Sequence, residues 1–561
     1  MARLGQKLVA LAPALALVVA CGAPSGVGKL RFANQAPVWQ VNDRVHTPKP
    51  PAERKFARLL YFFDGAFTRS VTNSLDVRVS KPVADVNSLG EVPDSTWFTN
   101  RIGARNLSVA EVRYGPNRSG SPELYKPWTV LGTKVGGVSV GFTIQDSRGH
   151  RYLLKFDAKG YPEMETAADV IVQRLLWACG FNAPEDTIVY FNRSDLKLGA
   201  KASVKDTLGN KRAMTMKDLD SGLARVEIES DGRIRGLVSK WLSGKPVGGF
   251  SIRGTRPDDP NDRVAHERRR SVRGSASVFA WLNHTDIKED NTLDMWVKDP
   301  KDPKIRYLKH YQVDFGKALG VLGYMDGLAF EGFSEVFGVW RVTKSLLSLG
   351  LWKRPWDAIK SPKLRGIALF ESERYEPESW NAHATYLPFT DRDRFDEFWG
   401  AKILIRLSPA HIRAAVEQGR FSEPAATEYM VKTLIARQRK TARYWFNKVA
   451  PLDRFKVTAK GLCFEDMAVR YKLGASAKAS AYTAAFYDHS GRPLRGGGTV
   501  SRSAAGRVCI NDINHGRSHA DYTIVRIDTR RNGASMNLPL YVHLARDKRS
   551  ERLRVIGLDR R

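Results

Sequence analysis

Between residues 128 and 160 apolar and polar positions alternate in short runs, at 128–130, 138–145 and 151–156, bounded by glycines or turn residues. This period of two predicts β-strands, and Asp146-Ser147-Arg148-Gly149 predicts a hairpin turn between the last two. The period then changes. Ala167, Ile171, Leu175 and Ala178 recur at i, i+4, i+8 and i+11, which predicts a helix that Gly180 ends. Residues 187–191 and 235–241 read as further strands, and the charged stretch between them as a loop or a small inserted sheet. Beyond residue 262 the pattern is helical: Val272, Ala276, Phe279 and Leu282 mark one face of a helix ending just before His284. More helices are expected around 335–350, 391–407, 409–418 and 424–448. From Phe455 to Arg561 alternating runs at 481–487, 522–528 and 538–543, with glycine clusters, predict an antiparallel β-sandwich. No internal repeat is visible.

The first residues carry a different pattern. Arg3 and Lys7 form a basic head, residues 8–20 are apolar, and Val18-Val19-Ala20-Cys21 follows. This order reads as an export signal, and the apolar stretch is too short to span a bilayer. Its ending resembles the lipobox of bacterial lipoproteins. That implies cleavage before Cys21, lipidation of its thiol and, with Gly22 next, an outer-membrane location. Residues 22–55, rich in Gly, Pro and polar side chains, read as a tether, and 56–127 as an extension packed on the main domain.

Length and composition narrow the picture. A chain of 561 residues with 42% hydrophobic content exceeds one core, so at least two globular domains are expected. Three cysteines remain besides Cys21. Cys463 and Cys509 share the C-terminal β-region and are placed to pair in an oxidising compartment, whereas Cys179 lies on an apolar helix face as a buried thiol. No Cys-x-x-Cys or His-rich spacing suggests zinc. A formal charge of +31 favours anionic partners. With no aromatic-basic or helix-turn-helix motif, nucleic acid is not the partner expected.

The chemistry falls where the β-rich region meets the helical one. His284-Thr285-Asp286-Ile287-Lys288-Glu289-Asp290-Asn291 fits His-x-Asp-x-Lys-x-x-Asn, and Asp314-Phe315-Gly316 follows after a hairpin. Phosphoryl transfer needs a carboxylate to deprotonate a hydroxyl, which suits Asp286, and oxygen ligands for a hard cation, which suit Asn291 and Asp314. Lys288 is placed to neutralise the transferred group. Upstream, Lys155 ends a strand where it would reach α- and β-phosphates. Glu165 opens the next helix as its ion-pair partner, with Glu163 the second choice.

Gly137-Val138-Ser139-Val140-Gly141 satisfies Gly-x-Ser-x-Gly, but a nucleophile elbow needs a strand-to-helix turn and strands stand on both sides here. With Gly136, Gly137 and Gly141, a phosphate-covering β-turn is the better reading. Gly26-Val27-Gly28-Lys29 is followed by Leu30 where a P-loop needs Ser or Thr, and is set aside. Trp241 and Leu242 follow a strand and are candidates for a hinge that receives adenine, or for a sheet edge. Arg268-Arg269-Arg270 with Arg273 reads as a solvated helix face rather than a substrate clamp.

Together these motifs resemble the protein-kinase-like superfamily over about residues 128–450, closest to the atypical bacterial HipA-like and CotH-like branches. The resemblance implies an α+β chain. A two-lobed kinase-like domain at 128–454 (lobes about 128–245 and 246–454) would precede the β-sandwich at 455–561. It also implies ATP with Mg²⁺ or Mn²⁺, and a hydroxyl acceptor. Three departures limit it. Thr285 replaces the usual arginine, Asn291 to Asp314 is long, with a hydrophilic turn at 298–303, and no Ala-Pro-Glu follows. Another nucleotide-dependent transferase, such as an adenylyltransferase, and a non-catalytic scaffold are the alternative functions.

Overall fold

The computed structural model describes residues 27, 31–56, 58–134, 140–205, 210–322, 328–496, 498–513 and 522–561. Cys21, Gly136 and Gly137 lie outside them. The chain is mixed α/β, with one large mixed sheet and several antiparallel ones.

The large sheet has seven strands: β1 (Trp128–Thr133), β2 (Gly141–Gln145), β3 (Arg151–Lys155), β4 (Asp186–Phe191), β5 (Leu196–Lys205), β6 (Lys211–Ala213) and β7 (Ile234–Lys240). Their order is β4-β7-β3-β2-β1-β5-β6. β1 and β5 run parallel and the other pairs antiparallel. The charged stretch between β4 and β7 therefore supplies strands to this same sheet, at its edge. Trp128, Val130, Phe142, Ile144, Leu154 and Phe191 fill the apolar layer on one face.

The helix Met164–Cys179 is buried along its whole length. Asp157 fixes its start by accepting hydrogen bonds from the Glu163 N–H (3.0 Å), the Thr166 N–H (2.9 Å) and the Thr166 hydroxyl (2.7 Å). Gly180 ends it at φ 121°, where a Cβ would overlap the Phe98 ring.

Downstream, β8 (Lys245–Pro246), β9 (Thr292–Lys298) and β10 (Arg306–Gln312) make a small sheet in the order β10-β9-β8. The helices Val339–Leu347, Arg394–Leu404, Pro409–Val416 and Pro424–Phe446 occupy the regions where periodicity placed them. The main core joins the last three of these to the helices Met164–Cys179 and Ser275–Leu282 and to Trp97, Phe98, Ile102 and Val112 of the extension, while Val339–Leu347 lies outside it. These apolar side chains remove the extension's inner face from water, by about 1.5–3 kcal/mol for each fully buried large residue.

Two sheets follow. β11 (Leu452–Thr458), β12 (Gly461–Asp466), β14 (Val500–Arg502) and β15 (Arg507–Ile510) form one. β13 (Ser480–Tyr487), β16 (Tyr522–Arg531), β17 (Ala534–Ser535), β18 (Leu540–Arg546) and β19 (Leu553–Arg560) form the other. Leu462, Phe464 and Ile510 from the first share one apolar cluster with Phe486, Val525 and Val542 from the second. Cys463 and Cys509 sit opposite each other on β12 and β15 and are disulfide-bonded, while Cys179 is a buried free thiol.

Two expectations are corrected. Residues 31–55, read as a tether, run bound along the body. Arg31 pairs with Asp559 (2.6 Å), the Asn34 amide donates to the Arg546 carbonyl (2.8 Å), and Asp43 accepts from the Thr96 N–H and hydroxyl (both 2.7 Å). Their polar side chains satisfy backbone and carboxylate partners instead of water.

The arginine run at 268–273 is not a solvated face. Arg269, Arg270 and Arg273 are buried. Arg269 bonds Asp262 (2.8 Å) and lies over the Trp97 ring, and Arg270 (2.9 Å) and Arg273 (3.8 Å) share Asp396. Burial raises the Asp396 carboxyl to about 6 against the pull of Arg270. Charge periodicity alone cannot reveal a partner more than a hundred residues away.

Candidate active site

The site is built where β3, the helix Met164–Cys179, the loop at residues 284–291 and the β9–β10 hairpin meet. The hairpin does the joining. Thr292 pairs with Gln312 across it, and the Val313 N–H donates to the Asn291 carbonyl (3.0 Å), so Asn291 and Asp314 become neighbours. The hydrophilic turn at 298–303 forms the tip between the paired strands.

Lys155, the last residue of β3, extends its ammonium to Asp314 Oδ1 (2.8 Å) and Asp169 Oδ2 (3.1 Å). Burial opposes its charge, but the two carboxylates together hold its pKa well above the usual lysine value. Asp314 occupies a left-handed backbone conformation (φ 63°), and Lys155 holds its carboxyl well below the ordinary range.

The helix partner is thus Asp169, one turn beyond Glu165. Glu165 sits instead against Gly316, where a Cβ would fall 2.5 Å from Glu165 Cγ. Burial lifts the Glu165 pKa to about 7, although Lys155 opposes the shift. Glu163 turns away to Arg365 (2.9 Å) and the Ser422 N–H (2.9 Å). Behind Asp169 lies Asp186 at the start of β4. Burial and the Asp169 charge raise Asp186 strongly, so the two carboxyls do not ionise independently.

Asp286 forms the other half. Lys288 Nζ donates to both its oxygens (2.7 Å each), Lys317 Nζ lies 3.7 Å away, and Asn291 Nδ2 donates to its carbonyl (2.7 Å) and to Oδ2 (3.2 Å). Burial acts to raise the pKa, but Lys288 and Lys317 hold it at about 2, so the carboxylate is ionised at neutral pH. His284 is fully enclosed beneath, edge-on to Phe279 and Phe315. Burial keeps the imidazole below its usual pKa, and it links the loop to Phe315 by packing. Thr285 is buried against Glu331, which His383 also engages at 3.0 Å.

Lys155, Asp286, Lys288, Asn291 and Asp314 therefore converge, with Glu165 beside them. Gly141 opens β2, with the Lys134 side chain laid across the space a Cβ would take. Trp241 is half exposed beside Arg151, and Leu242 packs toward Met295 and Val297 of β9. Both lie on the segment joining β7 to β8. Asp169, Asp186, Lys134 and Lys317 were missed by the sequence reading. Asp169 had one signal, its i+4 spacing from Glu165 on the same helix face.

The donor set suits a hard divalent cation. Asn291 commits its NH₂ to Asp286, leaving its amide oxygen to coordinate, and the Asp314 side chain is 47% exposed with one oxygen on Lys155. Among the described residues no group of three His, Cys, Asp or Glu is placed to hold a metal, and Asn291 and Asp314 together offer an amide and a carboxylate oxygen.

Beside the loop at residues 284–291 lies a cavity of about 400 Å³ lined by Arg54, Lys55, Phe56, Tyr61, Arg69 and Glu289, among others. Arg69 pairs with Asp64 (2.5 Å) and Glu289 (3.1 Å), whereas Arg54 Nη1 is buried with no hydrogen-bond partner among the described residues.

No family model matches the chain, and no curated protein matches it. Comparison with solved structures finds a chain described as the crystal structure of the Golgi casein kinase with Mn/ADP bound. The likeness has a TM-score of 0.26 and 13% identity, covering 72% of this chain and 94% of that one. At that score it carries no argument about this chain's activity.

Proposed function

We propose that this chain is a nucleotide-dependent phosphotransferase of two-lobed kinase-like architecture, followed by a β-sandwich module and held at the bacterial envelope through Cys21. The observation that carries the reading is the convergence of Lys155, Asp286, Asn291 and Asp314, contributed by three separate stretches of chain. A scaffold has no use for a buried carboxylate kept ionised by two lysines beside a second one kept ionised by a third.

In this reading Lys155 holds the α- and β-phosphates of ATP, aligned by Asp169. Gly141 approaches the phosphates, and Trp241 and Leu242 border the adenine. A Mg²⁺ or Mn²⁺ ion on Asn291 and Asp314 would neutralise phosphate charge. Asp286 orients the acceptor hydroxyl and takes its proton. As the acceptor oxygen bonds to the γ-phosphorus, the bond from that phosphorus to the β–γ bridging oxygen breaks, and ADP leaves. Lys288 neutralises the transferred group. The acceptor enters through the cavity by Glu289, where Arg54 favours an anionic molecule.

The test is product analysis with the purified chain, ATP and Mg²⁺ or Mn²⁺. ADP with a phosphorylated product supports phosphoryl transfer. AMP or pyrophosphate would show nucleotidyl or pyrophosphoryl chemistry instead, and an absence of all three would remove the catalytic reading.

A further inference from the structure

The helix Val339–Leu347 has no buried residue, yet its sequence is sharply two-sided. At 100° per residue Val339, Trp340, Val342, Leu346 and Leu347 share one face, and Arg341, Lys344 and Ser345 the other. Such a stripe ordinarily marks the side packed on a core. Here it is open: Leu346 is 69% and Leu347 83% exposed, and after the helix Leu349 and Leu351 reach 90% and 84% on either side of a turn at Gly350 (φ 82°).

A second segment adjoins it. The helix Arg69–Leu75 packs against Val339–Leu347, Phe67 meets Phe337 at 4.4 Å between ring centroids, and the Ser70 hydroxyl donates to the Phe337 carbonyl (2.6 Å). This segment also leaves large apolar side chains in water, among them Phe63, Phe67, Leu75, Val77 and Val79. An apolar surface of this extent is not left open without an occupant.

Charge selects the occupant. Residues 338–355 contain Arg341, Lys344, Lys353 and Arg354 and no acidic residue, and two tryptophans, Trp340 and Trp352, lie among them. Leucines and tryptophan on one face, lysine and arginine on the other, and a protruding apolar turn match a helix lying in the plane of an anionic lipid surface. A protein interface would bring acidic groups to these cations without needing four leucines around an exposed turn.

We propose that the helix Val339–Leu347, the turn at Gly350 and the adjoining Phe63–Val79 segment form a docking surface for anionic lipid headgroups, with Leu346, Leu347, Leu349 and Leu351 inserting below them. The surface is tied to the catalytic loop by the Arg69–Glu289 ion pair (3.1 Å), so docking sets the candidate site close to the membrane. Lipid docking rests on exposure and charge, and stands or falls apart from the phosphotransfer reading.

The test uses the full chain carrying Cys21→Ser and Leu347→Cys labelled with an environment-sensitive fluorophore; Cys179 is buried and Cys463 and Cys509 are bonded, so the label has one accessible thiol. Phosphatidylcholine vesicles with phosphatidylglycerol should raise and blue-shift the emission, and vesicles without it should do so far less. Adding Leu346→Glu, Leu349→Glu and Leu351→Glu, all at exposed positions, should weaken that response about tenfold or more. A label that stays in water while the chain sediments with vesicles through residues 1–21 would overturn the proposal. So would a response unchanged by the three glutamates, or a concentration-dependent shift without vesicles, which would assign the face to a second copy of the chain.

Discussion

Lys155 and Asp314 are separated by 159 positions in the chain, yet their side chains meet at 2.8 Å, with Asp169 on the other side of the lysine at 3.1 Å. Lys155 and Asp169 are buried while the Asp314 side chain is partly open; the lysine's charge depends on both carboxylates, and each carboxylate's on the lysine.

Asp169 is the residue that positions Lys155, so its loss should cost more than that of Glu165. Asp169→Ala is expected to lower nucleotide affinity and to destabilise the fold by about 3–5 kcal/mol, as breaking a buried pair does. Glu165→Gln should leave Lys155 in place. Nucleotide titrations and chemical denaturation of both variants check the ranking; equal losses would contradict it.

Glu165 should make stability depend on pH. Its pKa rises from 4.5 to about 7 on folding because burial disfavours the charged form. Between those values the folded chain keeps a proton that the unfolded chain has released, so this residue's contribution falls as pH rises through the window. Glu165→Gln should therefore match wild type near pH 5 and melt at a higher temperature near pH 8. Parallel melting curves across that range would exclude the effect.

Gly316→Ala places a methyl group against the buried Glu165 side chain. The expected cost is about 1–3 kcal/mol of stability, with weakened nucleotide and metal binding because Asp314 lies two residues away. The double variant with Glu165→Ala should recover most of the stability, and thermal melting of the pair measures that recovery.

The Cys463–Cys509 bond joins residues 46 apart. Replacing both by serine should destabilise the C-terminal sheets by about 4 kcal/mol through loop entropy in the unfolded chain. Nucleotide turnover at temperatures where those sheets remain folded should not change. Denaturation followed together with turnover distinguishes these two outcomes.

Local pattern carried far in this chain. The helix Met164–Cys179 and the strands around Lys155 were legible because their apolar spacing and end signals, Gly180 above all, are properties of adjacent residues. The hairpin between Asn291 and Asp314 was legible for the same reason. What sequence could not give is pairing across the fold. Asp169 rather than Glu165 on Lys155, Asp396 beneath Arg270 and Arg273, and the course of residues 31–55 all depend on partners brought together only by packing. The arginine run misled for a physical reason: a charge run is ordinarily solvated, and only the buried Asp262 and Asp396 make this one otherwise. Among the described residues no helix is long and apolar enough to cross a membrane, and the open face at Val339–Leu347 emerged only from its exposure.

The most direct test of the phosphotransfer account is ATP turnover by the full chain with Mg²⁺ or Mn²⁺, comparing wild type with Asp286→Ala. Transfer to an acceptor, or slowly to water in its absence, should fall by about 10²–10⁴-fold when the carboxylate is removed. ATP with the metal should still raise the melting temperature of the variant, because Lys155, Asn291 and Asp314 remain. Equal rates in the two proteins, or no turnover and no metal-dependent stabilisation in either, would contradict the assignment.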